Sequence, residues 1–186
     1  MLTRHRKVPD PLSDEWPAVS QHRYSTTLPP RTWPSGGVRF RCSLARLATD
    51  LKPQEVWEAV HDGLVEAEED LSDGDLVIVM RLFAPDSRGR NLAALIKPAV
   101  DGVQCSLLGY DGERLDAVVR RVEETARRPE LARDRLQTTG PLGHQHFVYL
   151  RGDGLQWSPT DDRLVRIELE FGQDHEAGLE GWVGRG

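Results

Sequence analysis

The alternation of apolar and polar residues predicts a first strand over Val38–Leu44, where the sequence reads VRFRCSL. A second segment, Leu76–Phe83 (LVIVMRLF), is almost continuously apolar and has turn-forming residues on both sides. Such a run is typical of a strand with both faces buried, so we expect it to be central in a sheet. Two later segments, His146–Leu150 and Leu164–Phe171, also have the composition of strands.

An amphipathic helix is predicted after Pro53, a residue that suits the first helical turn. Apolar residues recur at helical spacing from Val56 to Val65, and acidic residues occupy most of the other positions. Residues 50–76, which include this predicted helix, contain ten acidic side chains and one basic one. This charge is typical of a solvated acidic helix, and it also suits a surface that binds a protein partner.

A second amphipathic helix is predicted from Asn91, because apolar residues recur at helical spacing as far as Val103. Pro98 interrupts the pattern, since it lacks a backbone N–H and crowds the carbonyl of Ala94. The helix is therefore either kinked at the proline or begins nearer Ile96.

Residues 113–128 are compatible with two structures. Val118, Val119 and Val122 follow helical spacing, and good helix formers come after them. The same run, AVVRRV, also has the composition of a strand. The sequence leaves both alternatives open.

The order of these elements predicts an α+β fold with a mixed sheet of about four or five strands and two or three packed helices. Residues 1–36 are interpreted as a Pro-rich N-terminal arm, because six of the twelve prolines lie there. Trp16 and Trp33 indicate that this arm docks on the rest of the protein. Residues 37–172 are predicted to form a single α+β domain, and residues 173–186 a C-terminal tail.

The 186-residue chain has a formal net charge of −6 and no apolar run long enough to cross a membrane. Its N-terminus lacks the apolar stretch of a secretory signal. Cys42 and Cys105 are predicted to be reduced thiols, although one disulfide also fits the count. We therefore expect a cytoplasmic protein without membrane association. A large phosphate-binding surface would make the chain basic, so any contact with nucleic acid must use a local patch.

The segment RNLAALIKPAVDGV, followed nine residues later by GERLD, resembles the RusA family of Holliday-junction endonucleases. That family has an Asp-x-Asp-Asn-Leu-x-Lys-x-x-x-Asp-x-Leu helix after a central strand, then a turn with two adjacent aspartates and another strand. The resemblance covers roughly residues 75–120. The residues that fall on the family's pattern are Leu95, Lys97, Asp101 and Val103 in the helix, Arg90 just before it, and Asp111 in the turn.

The resemblance implies a RusA-like fold, a homodimer and Mg²⁺-dependent cleavage of branched DNA in recombination and repair. The chain departs from the pattern where the family holds its metal. The two metal-binding aspartates correspond to Asn91 and Ala93, and the second aspartate of the later pair corresponds to Gly112. Ala93 cannot bind a hard cation, and Asn91 offers only a neutral carbonyl. We therefore expect a nucleic-acid-associated protein with impaired catalysis.

Acidic residues from other positions offer a way to rebuild a cation site for Mg²⁺. The metal-ligand candidates are Asp86, Asp111, Glu113 and Asp116, and the catalytic candidates are Lys97, Asp111 and Glu113. The nucleic-acid candidates are Arg88 and Arg90, in the basic loop DSRGR, together with Lys97. Each also has an ordinary structural interpretation: the acids suit turns and a first helical turn, and the lysine suits a solvated helix face.

One further pattern is weaker. GHQHF places His144 and His146 two residues apart, but a zinc site needs a third ligand, so a surface strand is favoured.

The alternative function is a non-catalytic protein–protein interaction module that uses the acidic helix and the N-terminal arm.

Overall fold

The structure of the protein is a computed structural model. It describes residues 19–25, 32–67, 69–85, 93–138 and 140–186, with the backbone alone for residues 19–25 and 64–67. The architecture is α+β with a mixed sheet, which confirms the predicted fold class.

The described chain contains ten strands, four α-helices and one turn of 3₁₀ helix. The strands are β1 (Val19–Ser25), β2 (Val38–Ser43), β3 (Leu64–Ala67), β4 (Leu76–Ala84), β5 (Gly109–Tyr110), β6 (His144–Gln145), β7 (Val148–Arg151), β8 (Gly154–Trp157), β9 (Leu164–Gln173) and β10 (Gly178–Arg185). The helices are α1 (Pro53–Gly63), α2 (Ala93–Ser106), α3 (Leu115–Glu123) and α4 (Ala132–Gln137), and the 3₁₀ turn covers Pro129–Leu131.

The main sheet has six strands in the order β1-β9-β4-β10-β2-β3, one more than the upper end of the prediction. The pairs β1–β9 and β9–β4 are parallel, and the other three are antiparallel. All nine residues of β4 are buried, and β4 lies inside the sheet, so the prediction of a central strand is confirmed. Two small sheets, β5–β6 and β7–β8, lie outside the main one.

The prediction of a C-terminal tail over residues 173–186 is wrong, because β10 lies between β4 and β2 in the main sheet. The glycines that made this segment resemble a tail are needed for close packing. A Cβ atom on Gly181 would lie 2.5 Å from the ring of Phe40 and 2.7 Å from the carbonyl oxygen of Val79. Neighbouring groups thus occupy the space that a side chain would need.

The segment interpreted as an N-terminal arm contributes a strand to the sheet, because β1 pairs along β9. Trp33 packs against a small apolar cluster of Val77, Val79 and Trp182. The Nε1–H of Trp182 donates a hydrogen bond to the carbonyl oxygen of Gly36 at 2.8 Å. Trp16 lies outside the described residues, as does most of the Pro-rich segment.

A row of charged side chains crosses the centre of the sheet. Arg81 of β4 is 4% exposed and lies in register with Glu170 of β9 and Glu180 of β10. Its Nε is 2.5 Å from the Glu170 carboxylate, and its Nη1 is 3.3 Å from that of Glu180. Both neighbours of this buried guanidinium therefore carry compensating negative charge.

Helices α1 and α2 pack closely, and Gly102 makes the contact possible. A Cβ on Gly102 would lie 2.4 Å from Cβ of Val56 and 2.6 Å from the carbonyl oxygen of Pro53. Helix α2 begins at Ala93 and continues past Pro98, so the alternative start near Ile96 is wrong. None of the helices in the described ranges is long and apolar enough to cross a lipid bilayer.

The open question over residues 113–128 is answered by α3, which is a helix. Its buried residues are Val118, Val119 and Val122, the same residues that fall at helical spacing in the sequence. The turn at Asp111 is therefore followed by a helix, whereas the RusA family has a strand there.

Candidate functional site

Lys97 forms an ion pair with Asp101 one turn further along α2. The Lys97 Nζ lies 3.2 Å from Oδ2 and 3.3 Å from Oδ1 of Asp101. The Asp101 side chain is 3% exposed, whereas that of Lys97 is 49% exposed. The buried carboxylate therefore holds the lysine at the surface and restricts the directions in which its ammonium group can point.

The environment of Asp101 disfavours its charged form. Burial raises the pKa of Asp101 to about 7; the ammonium of Lys97 opposes this shift, and the carboxylate of Asp161 adds to it. Burial also raises the pKa of Asp161, while Lys97 and a hydrogen bond from Gln104 act in the opposite direction. We call Lys97, Asp101, Gln104 and Asp161 the α2 acid cluster. Near neutral pH, Asp101 is thus close to half protonated.

Among the residues that the structure describes, two oxygen atoms of this cluster are buried and have no hydrogen-bond partner: Oε1 of Gln104 and Oδ1 of Asp161. Buried acceptors of this kind are costly unless a donor reaches them. Independently of these two oxygens, the raised pKa of Asp101 means that its carboxyl keeps a proton to a higher pH than an ordinary aspartate does. The cluster can therefore store a proton and orient a lysine.

Cys105 adjoins the cluster but is not suited to act as a nucleophile. It is fully buried, and burial raises the pKa of its thiol well above the usual range, with Asp101 and Asp161 raising it further. Cys42 is also buried and its pKa is raised to about 12, mainly by burial. Both cysteines are free, which confirms the prediction of two thiols rather than a disulfide.

Asp111 and Glu113 line a different site, a cleft of about 380 Å³ between the turn after β5 and strand β7. His146 and Tyr149 also line it. We call this the aromatic–acidic cleft. Asp111 and Glu113 were predicted to act together, and the cleft does bring them together.

The structure does not bring Lys97 to that cleft. Lys97 is not among the described residues that line it, and it lies nine residues before the end of α2, which is about 13 Å along the helix axis. The predicted catalytic set of Lys97, Asp111 and Glu113 is therefore divided between two places.

The predicted metal ligands in the described part of the chain also do not meet. The Asp116 carboxylate is 2.6 Å from Nη2 of Arg133, and its side chain is 84% exposed. Within the described ranges, no group of three or more His, Cys, Asp or Glu residues is placed to hold a metal ion. Asp111, Glu113 and Asp116 thus do not make a cation site by themselves. Asp86 lies outside the described residues, as do Arg88 and Arg90.

The histidine pair contributes to packing. The His146 ring stacks on Tyr149 with a centroid distance of 4.4 Å, and its Nε2 is 3.1 Å from the carbonyl oxygen of Val148. His144 lies in β6, which pairs with β5.

Sequence reasoning missed Gln104 and Asp161 as members of the α2 acid cluster. Lys97, Asp101 and Gln104 are spaced i, i+4 and i+7, which places them on one face of the helix and gives a usable signal. Asp161 lies between β8 and β9 in a turn-rich segment and carries no local signal. Compared with known proteins, this chain matches no family model, no curated protein and no solved structure.

Proposed function

We propose that this protein is a RusA-like, nucleic-acid-associated protein in which Lys97 contacts a phosphate group and strand cleavage is impaired. The observation that carries the proposal is the ion pair between Lys97 and the buried Asp101, on the helix that follows the central strand. A lysine is a compact point charge that suits a phosphate oxygen, and Asp101 limits the directions it samples. Branched DNA, a homodimer and a cytoplasmic location belong to the same proposal.

The order of elements supports the resemblance in part. Strand β4 is followed by α2, then by the short strand β5 and a turn that contains Asp111. Helix α3 replaces the strand that the family has after this turn. The support for the proposed resemblance therefore comes from β4, α2, β5 and this turn, and α3 does not add to it.

The donor groups argue for impaired cleavage. Ala93 begins α2 as an exposed methyl group, at the position where the family has a metal-binding aspartate. Mg²⁺ gives up its waters reluctantly and is held through carboxylates. The described residues do not fit this ion, because they contain no convergent group of three acids.

The alternative of an interaction surface on the acidic helix is less favoured, because the acids of α1 are used within the protein. Glu58 is buried and accepts hydrogen bonds from Nε2 of Gln54 at 3.1 Å and from the backbone N–H of Arg127 at 3.0 Å. Asp62 pairs with Arg135 and Arg128. Glu55 accepts a hydrogen bond from the backbone N–H of Lys52, so it caps the helix.

A gel-shift experiment tests the proposal with branched, duplex and single-stranded DNA at increasing salt. We expect binding at low salt, and we expect Lys97→Gln to weaken it severalfold and to reduce the salt dependence by about one counterion. Lys52→Gln is the matched control, because Lys52 is also an exposed lysine. Absence of binding to all three DNAs, or equal effects of the two substitutions, would contradict the proposal.

A cleavage assay with Mg²⁺ or Mn²⁺ tests the proposal that strand cleavage is impaired. We expect little or no strand cleavage of a four-way junction. Efficient cleavage would show that catalysis is intact. If Asp111→Asn left that cleavage unchanged, Asp111 would also be excluded as a catalytic residue.

A further inference from the structure

The aromatic–acidic cleft has a wall of stacked rings. Tyr149 and His146 lie nearly parallel, with an interplanar angle of 19°, and Tyr110 meets the His146 ring edge-on at 5.4 Å. Tyr149 is 42% exposed and lines the cleft, so part of its surface is open to a ligand. Large exposed aromatic groups in a concave site are typical of recognition surfaces.

Hydrogen bonds fix this wall in place. The hydroxyl of Tyr149 donates to the carbonyl oxygen of His146 at 2.9 Å, and that of Tyr110 donates to the carbonyl oxygen of Val148 at 3.4 Å. The Nε2 of His146 is 3.1 Å from the same Val148 oxygen. The rings are therefore ordered before any ligand binds, which lowers the entropic cost of binding.

The rim of the cleft carries an excess of negative charge. Asp111 and Glu113 are exposed carboxylates, and within the described chain neither side chain forms a hydrogen bond or ion pair. Arg114 is the basic side chain among the lining residues. Two acids against one base leave a formal charge of −1, which favours a cation and disfavours a phosphate-bearing ligand.

We propose that the aromatic–acidic cleft binds an arginine side chain presented by a basic segment of a protein partner. A guanidinium is planar, so it stacks on the Tyr149 ring, and its N–H groups match a carboxylate such as that of Glu113. Lys97 does not line the cleft, so this binding is independent of phosphate contact at the α2 acid cluster.

The test compares two short peptides, acetyl-Gly-Arg-Gly-Arg-Gly-amide and its citrulline counterpart, which has nearly the same shape without the charge. Binding is followed by amide chemical shifts in two-dimensional NMR. We expect the arginine peptide to shift residues 110–118 and 146–150, and the citrulline peptide to bind at least fivefold more weakly. Tyr149→Leu and Glu113→Gln should each weaken arginine binding severalfold.

Two controls keep the outcome clear. Glu130→Gln removes an exposed acid outside the cleft and should leave peptide binding unchanged, as should Lys97→Gln. Glu113→Gln is conservative at an exposed position, so it tests binding even if Tyr149→Leu fails to fold. Equal shifts with both peptides, shifts confined to other regions, or no shift at millimolar peptide would overturn the proposal. Perturbation of these residues by a single-stranded oligonucleotide alone would assign the cleft to nucleic acid instead.

Discussion

Replacement of Asp101 by asparagine should make the protein more stable at high pH. The folded-state pKa of Asp101 is raised from 3.8 to about 7, chiefly by burial. At pH values well below 3.8 the carboxyl is protonated in both the folded and the unfolded state, so its ionisation does not lower the free energy of unfolding. As the pH rises from about 4 to about 7, the unfolded state loses its proton more readily, and the folded state loses stability.

The magnitude follows from the size of the shift. A difference of about three pKa units lowers the free energy of unfolding by about 4 kcal/mol in total as the pH rises. About 2–3 kcal/mol of this loss occurs between pH 5 and pH 8. Asparagine has no such ionisation. The free energy of unfolding of the variant, relative to the unmodified protein, should therefore rise by this amount over that interval.

Urea unfolding at pH 5, 6, 7 and 8 measures this difference. Asp116→Asn is the matched control, because it neutralises an exposed carboxyl outside the cluster, where a salt bridge contributes at most about 1 kcal/mol. A stability difference between Asp101→Asn and the unmodified protein that stays constant from pH 5 to pH 8 would refute the reasoning.

Three further predictions concern stability and are checked by urea unfolding. Gly102→Ala should cost about 1–3 kcal/mol because of the contact with Val56, whereas Gly154→Ala, where the nearest atom is 3.7 Å away, should be nearly neutral. Arg81→Ala should cost about 3–5 kcal/mol, since it leaves two facing carboxylates without their shared cation; a loss below 1 kcal/mol would contradict this. His61, whose pKa is lowered to about 4 chiefly by burial, binds a proton more readily when unfolded, so stability should fall as the pH drops from 6.5 to 4. The free energy of unfolding of His61→Leu, relative to that of the unmodified protein, should therefore rise by about 3 kcal/mol as the pH falls from 7 to 4. If this difference between the two proteins does not change with pH, His61 is not the cause.

The elements with strong periodicity were predictable. Strand β4 was evident from its continuous apolar run, and α1 from Pro53 and the apolar stripe that follows it. Both patterns arise from local burial, which the sequence records directly. The helical spacing in α3 was equally regular, but its β-branched residues left a strand equally acceptable until tertiary packing decided.

Strand β10 was missed because its identity depends on partners far away in the sequence. Glycine is a poor strand former in isolation. Gly181 and Gly178 are required because the rings of Phe40 and Phe83 and the carbonyl oxygens of Val79 and Cys42 approach them closely. The prediction that Lys97 and Asp111 act in one site has a related weakness. Matching a short motif gave Lys97 and Asp111 one common role, although the length of α2 separates them. The contribution of Asp161 is a long-range contact that no local pattern encodes.

The position of β10 has a consequence for how the chain folds during its synthesis. Strands β2 and β4 both pair with β10, which is synthesised about a hundred residues after β4. Until it emerges, β2 and β4 each lack one of their two sheet neighbours and present open backbone groups on that side. Contacts between such distant segments form slowly, so the growing polypeptide can complete its main sheet only after β10 has been synthesised.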